Sequence, residues 1–170
     1  MLTDLPVAAL SLAGFVLAHA AWSLSDLEDG ELLSPLAVVA QPDGVRKVLR
    51  FAENTQEAAI IAGKTAMREA SSGAAAWAFA REGAWRKMEA AQQGDVLAID
   101  FWATGMPGAA TFMQPFNRAD RGSRFRICGV PTLLVDSVVL AADVAAPSVK
   151  TIMAGVKSHM MVADLWATWQ

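Results

Sequence analysis

The sequence predicts an α+β fold, a mainly antiparallel sheet of about six strands covered by about three helices. Three observations predict it. An apolar segment of helical length opens the chain, short alternating segments punctuated by Gly, Pro and Asn fill its middle, and an apolar stripe at helical spacing closes it. At 170 residues the chain fits one domain spanning 1–170, and folding would remove roughly 70% of its unfolded surface from water. No βαβ alternation, repeat or low-complexity tract appears beyond alanine enrichment.

The first helix begins near Leu5, where Thr3 or Asp4 can cap it and Pro6 sits where a missing N–H costs nothing. Leu5 to Trp22 is nearly all apolar, so a membrane span and a signal peptide must be weighed. Ala18-His19-Ala20 has the form of a signal-peptidase site, but the stretch before it carries Asp4 and no Lys or Arg, the wrong charge for export. A span would place Ser11 and His19 in lipid, whereas a helix buried under a sheet gives them protein partners. The segment therefore reads as a core helix. Its small residues Ala8, Ser11, Gly14, Ala18 and Ala21 fall on one side and invite close approach by a neighbour.

An acidic run from Ser25 to Glu31 links this helix to the sheet. Leu36 to Gln41, the turn Pro42-Asp43-Gly44 and Val45 to Ala52 form a hairpin, since Pro presets φ and Gly accepts φ > 0. Asn54-x-x-Glu57 then reads as a capping box for a second helix that Gly73 closes. In Ala76 to Arg81 the large residues share one face and alanines the other, and Glu82-Gly83 is expected to turn the chain. Val96 to Trp102, Thr111 to Phe116, Ser123 to Ile127 and Thr132 to Leu140 are further strands. Ser148 is expected to cap a last helix whose apolar stripe runs through Ile152, Val156 and Met160 to Ala163.

Fourteen basic and seventeen acidic side chains give a net charge of −3, too balanced to point to a polyanion partner. A nucleic-acid partner is not expected, because net charge is negative and none of the six tryptophans interleaves with the arginine-rich segment 118–126, and the core-helix reading of Leu5 to Trp22 leaves no membrane partner expected. One cysteine, Cys128, has no internal disulfide partner, which fits a reducing compartment, and a cytoplasmic location is expected. Cys128, His19 and His159 have no ligand spacing, so neither a structural metal nor another cofactor is expected. The acidic linker departs from an EF-hand loop, with Gly30 fifth rather than sixth after Asp26 and Ala at position 37.

No catalytic motif is readable. His19, Ser23 and Asp26 share a helical face, the residue types of a hydrolase triad, but no nucleophile elbow accompanies them, and an interfacial histidine with satisfied bonds is the better reading. The sharpest local charge lies in Arg118, Arg121, Arg124 and Arg126, whose guanidinium forks suit a carboxylate or phosphate. Arg46 and Arg50 share a strand face and could join them. A basic hairpin tip pairing with the acidic linker explains the same residues more simply. Asp100 and Asp136 are the carboxylates placed where burial would raise a pKa, but facing solvent on a half-covered sheet is the simpler reading of both. The loop Met106-Pro107-Gly108, beside Trp102, Phe112 and Phe116, reads as core ahead of an apolar ligand site.

Two functional expectations follow. The leading one is a non-enzymatic binding or scaffold domain acting as a homodimer, with Met160, Met161, Leu165, Trp166 and Trp169 at the interface. The alternative is an enzyme or binding protein for a small anionic molecule, with Arg118, Arg121, Arg124 and Arg126 around Asp100 or Asp136 in one cleft.

Overall fold

A computed structural model describes residues 4–86, 93–119 and 122–170. The chain is α+β: among the described residues eight antiparallel strands form one sheet, slightly more than expected, accompanied by three α-helices. Helix α1 (Val7–Ser25) is followed by β1 (Leu36–Ala40), β2 (Arg46–Arg50), α2 (Gln56–Ala70), β3 (Ala76–Arg86), β4 (Gln93–Ala103) and β5 (Ala110–Asn117). Then come β6 (Arg126–Ile127), β7 (Thr132–Val135), β8 (Val138–Val139), α3 (Ala142–Lys157) and a 3-10 turn at Trp166–Trp169. The strand order is β2-β1-β3-β4-β5-β7-β8, with β6 also paired to β5.

Because α1 is apolar on every side, it is stable only where every side is covered. It lies between the sheet and α3, with Ala9, Ala13, Val16, Leu17, Ala18, Ala20 and Ala21 fully buried. By length and composition α1 could also cross a membrane, yet most of it is buried inside the fold. Two small-residue contacts bring its neighbours close. On the sheet side, Ala76, Ala78 and Ala80 of β3 join the core that α1 covers, as their alternation predicts. On the α3 side, a Cβ on Gly14 would lie 1.9 Å from the Ile152 carbonyl oxygen, and one on Gly155 would lie 2.3 Å from that of Ser11. The two helix backbones therefore touch at a Gly14–Gly155 crossing, on the side where Ser11 and Gly14 had suggested close approach.

The other sheet face carries α2. Ala37, Val39, Trp77 and Phe79 pack with Met67 and Ala74 in a second, smaller cluster. Gly63 lets α2 down onto the sheet, since a Cβ there would meet the Phe79 ring at 2.3 Å. Along β4, Leu97, Ile99 and Phe101 face α1 while Val96, Ala98, Asp100 and Trp102 face the α2 side.

Several elements differ from expectation. The cap of α2 is Thr55 rather than Asn54, with the Ala58 N–H donating to Thr55 Oγ1 at 3.1 Å. Glu82-Gly83 does not turn the chain: β3 runs on to Arg86, because β4 pairs with it residue for residue from Ala103 back to Gln93. Thr132 to Leu140 is a hairpin, β7 and β8, turned at Asp136 (φ 51) and Ser137 (φ 64). Only Arg126–Ile127 of the Ser123 to Ile127 segment is strand. Helix α3 starts six residues before Ser148, since Pro147 removes only the bond to the exposed Asp143 carbonyl. It stops at Lys157, where the Ser158 N–H donates to the carbonyls of Ala154 and Gly155, and the stripe through Met160 and Ala163 is not helical.

Candidate functional site

Two histidines that sequence spacing could not connect meet where α1, β2 and the end of α3 converge. His19 Nδ1 lies 3.1 Å from His159 Nε2, and Arg50 Nη2 lies 3.3 Å from His19 Nε2. His19 projects from α1 and Arg50 from the edge strand β2, while His159 is turned inward by the break that ends α3. Phe15 and Trp22, at i−4 and i+3 from His19 on α1, frame the pair, with ring centroids 4.8 and 5.9 Å from that of His159. Arg46 lies over the Phe15 ring at 5.3 Å. Burial lowers the pKa of both imidazoles; the neighbouring ring and the Arg50 charge lower His19 further, while the backbone of His159 partly offsets the effect there. Both rings are therefore neutral around pH 7. His159 Nδ1 is buried and has no hydrogen-bond partner among the described residues. The triad reading ends here, because Ser23 Oγ donates to the His19 carbonyl and not to the imidazole.

Among the described residues, the arginines and aspartates of the expected anion site do not share a cleft. Arg118 is held at the sheet end by ion pairs to Glu82 and, at 3.4 Å, to Asp95, and it donates to the Glu31 carbonyl at 3.0 Å. That bond reaches the backbone of the acidic linker, while the two ion pairs go to carboxylates outside it. Burial raises the Glu82 pKa, opposed by the Leu33 N–H and the Arg118 charge, while the Asp95 charge adds to the rise. Arg126 donates to the carbonyl of Gln170 at 3.2 Å. Arg124 lines a groove of about 410 Å³ with Asp26, Trp22, Phe125 and Trp169. Arg121 falls outside the described residues. Arg46 and Arg50 do share a face, but it is the one over α1, where they meet Phe15 and His19.

Asp100 points to the opposite face of β4 from Asp95, one of the carboxylates that hold Arg118. Its carboxylate accepts from Arg81 Nη1 and from Thr111 Oγ1, both at 2.7 Å. The cross-strand register makes this trio, since Asp100 is opposite Thr111 and diagonal to Arg81. Asp100 also lines a groove of about 390 Å³ with Lys64, Met67, Arg68, Trp77, Phe79 and Ala109. Asp136 is an exposed hairpin-turn residue.

Of the residues expected at an interface, Trp166 and Trp169 are covered within the chain, each 8% exposed. Trp169 packs edge-on against Phe125 and Trp166. Met160, Met161 and Leu165 are open, at 93%, 58% and 38% exposure. The loop at Met106 is fastened to the fold: the Trp102 indole N–H donates to the Met106 carbonyl at 3.0 Å. Phe112 and Phe116 are wholly buried on the α1 side and so belong to the core. Cys128 is half-buried, and burial pushes its thiol pKa up.

No family model matches this sequence, and neither a curated protein nor a solved structure matches it.

Proposed function

We propose that the chain is a non-enzymatic binding or scaffold domain that acts as a homodimer through the surface following α3. The supporting observation is that Met160, 93% exposed, and Met161, 58% exposed, are flanked by the buried anchors His159 and Val162. Fixed backbone thus holds two soft apolar side chains in water, and Leu165 extends the patch. A second copy brings the same patch, so a two-fold contact covers both at once. The unpaired Cys128 favours the cytoplasm as the compartment.

Solution mass tests the reading. Sedimentation equilibrium at tens of micromolar should give twice the 18.0 kDa chain mass, and the Met160→Glu, Met161→Glu double variant should return to the single-chain value with its fold intact. A wild-type mass of one chain contradicts it.

A second reading, a binder of a small anion, is favoured by the groove under α2 rather than by the arginine segment. Lys64 and Arg68 sit at i and i+4 beside that groove, where like charges repel, and neither makes an ion pair among the described residues. Asp100 in its floor is already neutralised by Arg81. Inorganic phosphate or benzoate should then raise the melting temperature in a Lys64- and Arg68-dependent way, and a flat response would end this reading.

A further inference from the structure

The direction of every proton in the Arg50–His19–His159 chain follows from one fact: a guanidinium can only donate. His19 Nε2 faces Arg50, so it accepts, and the His19 proton sits on Nδ1. That Nδ1–H donates to His159 Nε2, which places the His159 proton on Nδ1, the buried nitrogen without a partner. The neutral chain thus has a single polarity running from β2 through α1 to the segment after α3.

Adding one proton breaks this chain wherever the proton goes. If His19 is the imidazolium, its Nε2–H confronts the Arg50 donor. If His159 is, its Nε2–H confronts the His19 Nδ1–H, or His19 changes tautomer and turns Nε2–H toward Arg50. Each arrangement contains one donor–donor contact, in a site where burial already disfavours charge. The surrounding charges do not relieve it. From β2 the facing groups are the cations Arg46 and Arg50, and α3 ends in the exposed Lys157. The carboxylate nearest to His19 along the chain, Asp26 just after α1, lines the groove that Arg124 also lines, and on the segment after α3 the one carboxylate side chain is the exposed Asp164. No carboxylate among the described residues bonds to either ring. A metal ion is an equally poor occupant, because bridging the rings would require the His19 nitrogen that Arg50 keeps protonated.

We propose that Arg50, His19 and His159 form a proton-sensitive latch, which fastens the segment after α3 to α1 and β2 while both rings are neutral and releases it on protonation. The lowered pKa values support the sign. A group whose folded pKa lies below its unfolded 6.5 adds stability that is complete above that value and is lost as pH falls through the folded pKa. The latch does not depend on dimer formation, since all three residues belong to one chain.

Hydrogen exchange read by mass spectrometry, corrected for intrinsic pH dependence, tests it on the full chain. Between about pH 7.5 and about pH 5, protection of residues 158–170 should fall about tenfold or more relative to β4. His159→Phe, which keeps an aromatic ring between Phe15 and Trp22, should abolish that step. Arg50→Gln should shrink or abolish it too, because a glutamine side chain can accept the second His19 proton and so removes the donor–donor contact. A wild-type profile without the step, or a step that survives in His159→Phe, overturns the proposal. Nitrogen NMR of the wild-type rings decides the case without any variant: His159 should carry its proton on Nδ1 at neutral pH, and an Nε2–H tautomer overturns it. Zinc chloride alone should leave the exchange unchanged, and protection of residues 158–170 by zinc would replace the latch with a metal site.

Discussion

Asp136 and Ser137 hold φ values of 51 and 64, a conformation that costs an L-residue about 1–2 kcal/mol and that glycine adopts freely. Ser137→Gly should therefore stabilise the fold by about 1 kcal/mol, read as a higher denaturant midpoint at unchanged slope. A midpoint that stays or falls would show that the β7–β8 turn bears no such strain. The same position explains why this hairpin was not legible in the sequence. An Asp-Ser pair lacks the glycine that announces a two-residue turn, so nine residues read as one strand. The histidine pair was hidden for a different reason. His19 read correctly as an interfacial residue, but its partner lies 140 positions away, and no spacing rule reaches that far. Asp100 was legible as a residue near burial, yet its neighbours were not, because Arg81 and Thr111 reach it through strand register alone.

Between elements, the crossing of α1 and α3 carries the tightest constraint. A methyl group at Gly14 would collide with the backbone of Ile152, and backbone moves less readily than a side-chain tip. Gly14→Ala should cost about 2 kcal/mol or more through overpacking, and Gly155→Ala a similar amount, each measured by chemical denaturation. Wild-type stability in both variants would mean that the helices are further apart than described. The small face of α1 was readable because Ser11 and Gly14 recur at helical spacing; which helix it would meet was not. The boundaries of α3 were misread because Pro147 looks like the residue before a cap, although the inside of a first turn and a half tolerates it at the loss of one bond. Likewise Glu82-Gly83 carries turn residues but stays in β3, held by pairing with Leu97 and Val96 that only the assembled sheet supplies.

At the level of the whole molecule, the histidine pair and the exposed Met160 and Met161 are both tied to α1 through the segment after α3. The C-terminal half of α1 supplies His19 and Trp22, against which the segment after α3 is folded, and that segment presents Met160 and Met161 to solvent. Its N-terminal half, through Ser11 and Gly14, seats the helix that leads into this segment. The fold class was legible because alternation and turn residues survive in single-sequence patterns, whereas the histidine pair is made from residues far apart in the chain. Everything therefore depends on α1 being the central element of a water-borne fold, enclosed by sheet and α3. Amide hydrogen exchange in detergent-free buffer measures this most directly. The amides from Leu10 to Leu24 should be among the slowest in the protein, opening only with global unfolding, alongside those of β3 and β4. Fast exchange across α1, or protection there that appears only with detergent or lipid, would contradict the account.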